Sequence, residues 1–123
     1  MLDASAVLAL LAEEDGADQV EAVLDGAAMS TVNLSEVLQK SAQHDIETEG
    51  LEFDLEALGL ELLPFDSLHA RLASDIWERA PRAGLSLGDR SCLAVAQAIG
   101  GTALTTDRAW AALGLDIGIQ VIR

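Results

Sequence analysis

The stretch Leu85–Asp107, LSLGDRSCLAVAQAIGGTALTTD, decides how this chain is read. It reads as a loop, a helix opening at Gly88-Asp89, a stop at Gly100-Gly101 and a short strand from Thr102 to Thr105. An acid stands at each end: Asp89 in the first turn of the helix, and Asp107 just past the carboxyl end of the strand. In a chain of alternating strands and helices, helix starts and strand ends meet at one edge of a parallel sheet. Free N–H groups and the positive end of the helix dipole keep a carboxylate ionised in such a place. Two carboxylates there repel each other, and a divalent cation relieves the repulsion.

The same alternation extends outward from this stretch. Upstream, Met1-Leu2 is a strand ending in Asp3, and Ala4 to Glu13 is a helix with Val7, Leu8, Leu10 and Leu11 on its apolar face. Gly16 breaks that helix and a second runs from Ala17 to Leu24. Ala28 to Val32 is the second strand, and Asn33 begins a helix with Leu34, Val37, Leu38 and Ile46 inward. Leu51, Leu55 and Leu58 mark a short helix ending at Gly59. Leu60 to Phe65 is the third strand, and Ser67 to about Arg82 is a long helix carrying Leu68, Leu72, Ile76 and Trp77. Downstream of Asp107 come a helical turn, Arg108 to Leu113, and a last strand, Ile117 to Ile122. This pattern predicts a single α/β domain over residues 1–123, with a parallel sheet of about five short strands flanked by helices. Right-handed crossovers put the strands' carboxyl ends on one edge. Asp3 and Asp107 follow strands, and Glu36 lies in the first turn of the helix after the second strand. Asp89 joins them only if the loop from Ala80 to Gly88 carries the chain back to that edge.

Composition narrows the function. Half of the residues are hydrophobic and 3% are aromatic, so the core is aliphatic. Met1 leads directly into Leu2-Asp3 without a basic stretch, so no signal peptide is expected. The longest apolar run, Ala6 to Ala12, is too short to cross a bilayer. The single cysteine, Cys92, permits no internal disulfide, suits a reducing cytoplasm, and reads as a small buried hydrophobe. Seven Lys and Arg face 21 acids, a net charge of −14, which excludes a protein that coats nucleic acid through its charge. Thirteen of those acids fall between Glu13 and Asp25 or between Asp45 and Glu61, and they read as solvated helix faces. Arg71, Arg79 and Arg82 form a stripe able to track an RNA backbone or to pair with Asp75 and Glu78. His44 and His69 have no metal-ligand spacing and read as surface residues.

Each acid, taken singly, also reads as a helix cap. Asp3 precedes Ala4, Asn33-x-x-Glu36 and Ser86-x-x-Asp89 have capping-box spacing, and Asp107 precedes a helical turn. Caps need no common edge, however, and the four acids are expected to share one. An all-oxygen donor set suits Mg²⁺ or Mn²⁺, and nothing in the sequence offers the Cys/His set of zinc.

Four segments, LDASAVLALL, VNLSEVLQK, LSLGDRSCLAVA and ALTTDRAW, span almost the whole chain in one order and spacing. Together they resemble a PIN domain, specifically the VapC-type toxin ribonucleases of bacterial toxin–antitoxin pairs. The resemblance implies a PIN-like three-layer fold and metal-dependent hydrolysis of RNA phosphodiester bonds. It makes Asp3, Glu36, Asp89 and Asp107 the acidic quartet holding Mg²⁺ or Mn²⁺, with Glu36 or Asp107 orienting the attacking water. Ser5 and Thr106 match supporting polar positions, while Arg90 and Arg108 are candidates to contact an RNA phosphate. It also implies a homodimer, a cognate antitoxin and a cytoplasmic location. The alternative is a catalytically silent PIN-like module that binds RNA or protein. A phosphoacceptor receiver domain is disfavoured, because the only lysine, Lys40, lies in the third helix. The chain departs from the family in having only Met1 and Leu2 ahead of the first aspartate, and in its acidity.

Overall fold

The computed structural model describes residues 1–123. Six helices and four strands follow one another: α1 (Ala4–Leu11), α2 (Ala17–Val23), β1 (Ala28–Ser30), α3 (Thr31–Gln43), α4 (Leu51–Ala57), β2 (Glu61–Leu63), α5 (Ser67–Arg79), α6 (Leu87–Ile99), β3 (Thr102–Thr105) and β4 (Gly118–Val121). A 3₁₀ turn, Arg108–Ala112, joins the last two strands. The α/β class and the order of elements agree with the reading of the sequence.

The strands form two parallel pairs, β1 with β2 and β3 with β4. The expected first strand shrinks to a seam between these pairs. Leu2 makes a single parallel bridge to Leu104, and its N–H donates to the Ala28 carbonyl at 2.9 Å. On the β3 side, Asp3 donates to Leu104 O at 3.1 Å, and Leu104 N donates to Met1 O at 2.7 Å. The spatial order is therefore β2, β1, residues 1–3, β3, β4.

Alternation along each segment sorts side chains onto two faces. Leu2, Met29 and Leu104 join Val7, Val20, Val37 and Leu55 in a core beneath α1 to α4. Met1, Ala28 and Ala103 join Ala73, Ile76 and the run Cys92–Ala96 beneath α5 and α6. Helices thus cover both faces, giving the three layers.

Two boundaries bear on the site. Ser30 caps α3, its Oγ accepting from Val32 N at 3.2 Å, so the helix starts at Thr31. Asn33 is therefore not a cap, and Glu36 lies in the second turn rather than the first. α5 ends at Arg79, which leaves Arg82 in the following loop. Arg71 and Arg79 are exposed, but neither pairs with Asp75 or Glu78; Arg79 instead donates to Gln97 Oε1 at 3.2 Å. His69 is buried, contrary to the surface reading. Its Nδ1 accepts the Asp66 N–H in a capping box, and its ring packs tilted on Phe65. The acids of the Glu13–Asp25 and Asp45–Glu61 segments are exposed, apart from half-buried Glu52. No helix is long and apolar enough to cross a membrane.

The placement of α6 follows from two contacts. Arg90 Nη1 donates to Ala73 O, and Arg79 reaches Gln97, so later residues of α5 meet later residues of α6. The two helices run parallel. Each has 13 residues, a length of about 20 Å at 1.5 Å per residue. The segment from Ala80 to Ser86 must return over that length, which an extended chain covers at ~3.3 Å per residue. It does so, and the start of α6 arrives at the edge where α3 begins.

Candidate active site at the carboxyl edge of the sheet

Asp3 is the N-cap of α1 and lies almost wholly inside the protein, 6% exposed. Its Oδ1 accepts the Ala6 N–H at 3.1 Å and the Ser5 hydroxyl, while its Oδ2 accepts the Thr105 hydroxyl at 2.8 Å. Burial pushes the Asp3 carboxyl above the usual carboxylate range, and the hydrogen bonds from Ser5, Thr105 and the backbone pull it partly back.

The same two hydroxyls tie down the loop after β3. Ser5 Oγ accepts from Thr106 N at 3.0 Å, and Thr105 Oγ1 accepts from Asp107 N at 3.0 Å. Asp107 is exposed and caps the 3₁₀ turn, its Oδ1 accepting from Ala109 N at 2.9 Å. Thr105 is thus the threonine whose side chain reaches Asp3, whereas Thr106 takes part through its backbone N–H. The register explains this: Leu2 opposite Leu104 puts Asp3 opposite Thr105.

The other two acids meet across α3 and α6. Asn33, 1% exposed, donates through Nδ2 both to Glu36 Oε1 at 3.0 Å and to Gly88 O at 2.9 Å. Its amide fixes the Glu36 carboxylate against the first turn of α6. There the bare Cα of Gly88 makes room, since a Cβ at that position would stand 2.3 Å from Glu36 Oε1. Asp89 follows directly and completes the expected capping box: Oδ2 accepts from Ser86 N at 2.9 Å, and Asp89 N donates to Ser86 Oγ at 3.1 Å.

Cys92 lies behind the first turn of α6. It is fully buried one turn after Asp89, and burial together with the charges of Asp3, Asp89 and Glu36 pushes its thiol well above the ordinary range. Asp107 is joined to Asp3 through Thr105, whose hydroxyl donates to Asp3 and accepts from Asp107 N. The thiol itself is inert, as a small buried hydrophobe should be.

The two arginines stand differently from each other. Arg90 is turned toward α5, donating to Ala73 O at 3.1 Å with its Nε buried and unpartnered. Arg108 is exposed at the rim and donates to Arg123 O at 3.2 Å.

The donor set suits a hard divalent cation, because the ligands on offer are carboxylate oxygens with hydroxyls behind them. Glu36 Oε2, Asp89 Oδ1 and Asp107 Oδ2 carry no hydrogen bond within the protein. No three acidic, His or Cys side chains stand close enough to enclose an ion as they are placed.

Comparisons with known proteins agree with this architecture. The chain is similar in structure to a toxin-antitoxin complex from Klebsiella pneumoniae, with a TM-score of 0.79 and 18% identity over 99% of this chain and 96% of that one. At that identity the likeness is one of fold. No curated protein matches the chain in sequence. The family profile of the PIN domain matches residues 1–115, which takes in all four acids. PIN domains are generally nucleases that use divalent metal ions. The chain belongs to the PIN domain family.

Proposed function

We propose that the protein is a metal-dependent endoribonuclease, the toxin of a toxin–antitoxin pair, with Asp3, Glu36, Asp89 and Asp107 as its metal-binding and catalytic acids. The observation that carries this reading is the pairing of acids by shared contacts: Asn33 ties Glu36 to the first turn of α6 beside Asp89, and Thr105 ties Asp107 to Asp3. Helix caps have no reason to be paired in this way. The likeness to a toxin-antitoxin complex supports the biological setting.

A bound Mg²⁺ or Mn²⁺ would supply Lewis-acid chemistry, acidifying water and offsetting charge on the phosphate in the transition state. The chain's own residues do the rest. Asp3, locked by two hydroxyls and a backbone N–H, is the fixed donor around which the others gather. Either Glu36 Oε2 or Asp107 Oδ2, each unoccupied by protein donors, orients the attacking water and accepts its proton. Arg108 stands at the rim to meet a phosphate, and Arg90 serves the packing of α6 on α5. Antitoxin binding, homodimerisation and a cytoplasmic setting belong to the same reading; a charge of −14 presents a strong field to a basic partner segment.

The test is direct. The purified protein should cleave RNA with Mg²⁺ or Mn²⁺ and stop on addition of EDTA. Metal-bound protein that leaves RNA intact would favour the silent binding module instead.

A further inference from the structure

Beside Ser5 and Thr106, a cleft of about 440 Å³ opens between α1, the end of α3 and the last residue of the chain. Its polar wall is Lys40, His44 and Arg123, with Glu14 at the margin, and Leu8 and Ile46 supply apolar surface. Resting on the ribonuclease reading above, we propose that this cleft is a phosphate subsite, holding the RNA strand next to the bond that is cut.

The charge distribution carries the argument. Among 21 acids and seven Lys and Arg, the only lysine and one of the six arginines face the same cleft. The neighbouring cleft, which shares Glu14, is lined by Glu13, Asp15, Asp18 and Glu21 and by no cation. Lys40 and His44 stand four residues apart at the end of α3, so they project from one face. Lys40 is exposed and forms no ion pair. Arg123 is oriented by two acceptors, Asp15 O from its Nε and Glu14 Oε2 from its Nη2, which leaves Nη1 free to donate. A lysine ammonium, an imidazole N–H and a guanidinium edge around one opening make a donor set for a phosphodiester.

Position gives the cleft its role. Ser5 lines it and also donates to Asp3, and Thr106 lines it beside Asp107. A strand whose cleaved phosphate lies at the acids thus has a neighbouring phosphate at Lys40 and Arg123, with a sugar or base over Leu8 and Ile46. The acids alone repel RNA, so an adjoining cleft whose two cations outnumber its one acid lets a strongly acidic protein retain that substrate.

The test combines binding and cleavage of a labelled single-stranded RNA of mixed sequence. Cleavage is followed with the full chain in Mg²⁺. Binding is followed by fluorescence anisotropy over a salt series in the Asp89→Asn background, where the strand stays intact. Lys40→Gln is expected to weaken binding about five- to tenfold. It should also flatten the slope of log Kd against log salt by about 0.7, and raise KM while kcat holds. Lys40→Arg restores these values. Cleavage with the same KM and salt slope in Lys40→Gln overturns the subsite and leaves the ribonuclease reading intact. Weaker binding in Lys40→Gln, with no cleavage by the unmodified chain, supports the subsite and overturns the ribonuclease. Absence of RNA binding overturns the subsite, and so does tighter, Lys40-dependent binding of a polyglutamate peptide.

Discussion

The two halves of the acidic site are held by different means. On the α1–β3 side, Asp3 is buried and takes hydrogen bonds from two hydroxyls and a backbone N–H. Those hydroxyls also fix the loop that carries Asp107. On the α3–α6 side, one buried amide, Asn33, links Glu36 to the helix start, and Asp89 is occupied with its own cap. The first half is rigid before any ligand arrives and bears the cost of a buried charge. The second half is adjustable, and its carboxylates sit partly exposed. Such a division suits a site that must fix one ligand yet close around an ion and a substrate.

The largest effect separates the halves most sharply. Asp3→Asn and Asp89→Asn should each lower RNA cleavage about 10³-fold, since each removes a charged donor worth several kcal/mol in the transition state. Their stabilities should differ. Burial raises the Asp3 carboxyl, so its contribution to stability is present below the ordinary value of 3.8 and is lost as pH rises through the raised one. In EDTA at neutral pH Asp3→Asn should therefore melt above the unmodified protein, with the gap closing on acidification. Asp89→Asn, where asparagine still accepts from Ser86 N, should melt close to it. Added Mg²⁺ should stabilise the unmodified protein more than either variant. Equal pH dependence in the two variants would erase the distinction between the halves.

Gly88→Ala probes the adjustable half without touching an acid. Its Cβ would displace the Glu36 carboxylate, the far end of a flexible side chain, while alanine favours the helix. Thermal melts should show an unchanged or slightly raised midpoint alongside a cleavage rate about a hundredfold lower. Retained activity would mean that the position of Glu36 does not matter.

Asn33→Ala should lower unfolding free energy by about 1–2 kcal/mol in denaturant titrations, because Gly88 O loses a buried donor. It should slow cleavage about tenfold, reflecting a loosened Glu36. A wild-type rate would shift the positioning of Glu36 to other contacts. Smallest is the response at the centre: Cys92 should resist thiol reagents in native buffer and react on unfolding, with no change in cleavage rate over the same exposure.

Much of this arrangement was legible in the sequence, because its signals are local. The breaks at Gly16 and Gly100, the Ser86–Asp89 box and the apolar spacing within each helix placed the elements to within a few residues. Strand–helix alternation assigned Asp3, Glu36 and Asp107 to one edge, and Asp89 only on the condition that the loop from Ala80 to Gly88 returned the chain there. Tertiary features stayed hidden. The role of Thr105 depends on the register of Leu2 with Leu104, and a bridge of one residue has no periodicity to read. Asn33 resembled a cap because Ser30, three residues earlier, ends the strand and takes that role. His69 gave no sign of burial, since a capping imidazole and a surface one have the same neighbours in sequence. Arg90 shares its sequence proximity to an acid with Arg108, yet helix packing turns it away.

The parallel run of α5 and α6 turns the Ala80–Ser86 segment into a measuring strip. Its residues are exposed except at Ala80 and Leu85, and its task is to cover a distance. Each residue deleted removes about 3.3 Å of reach, while each residue unwound from α6 returns only about 1.8 Å more than it spanned as helix. A short deletion is therefore not absorbed where it is made. It is passed along as slippage of α6 on α5, which withdraws Gly88, and Asp89 with it, from Glu36. Substitution at Pro81, Arg82 and Ala83 is free, but the length of the strip sets the calibre of a site that only its last residue, Ser86, touches.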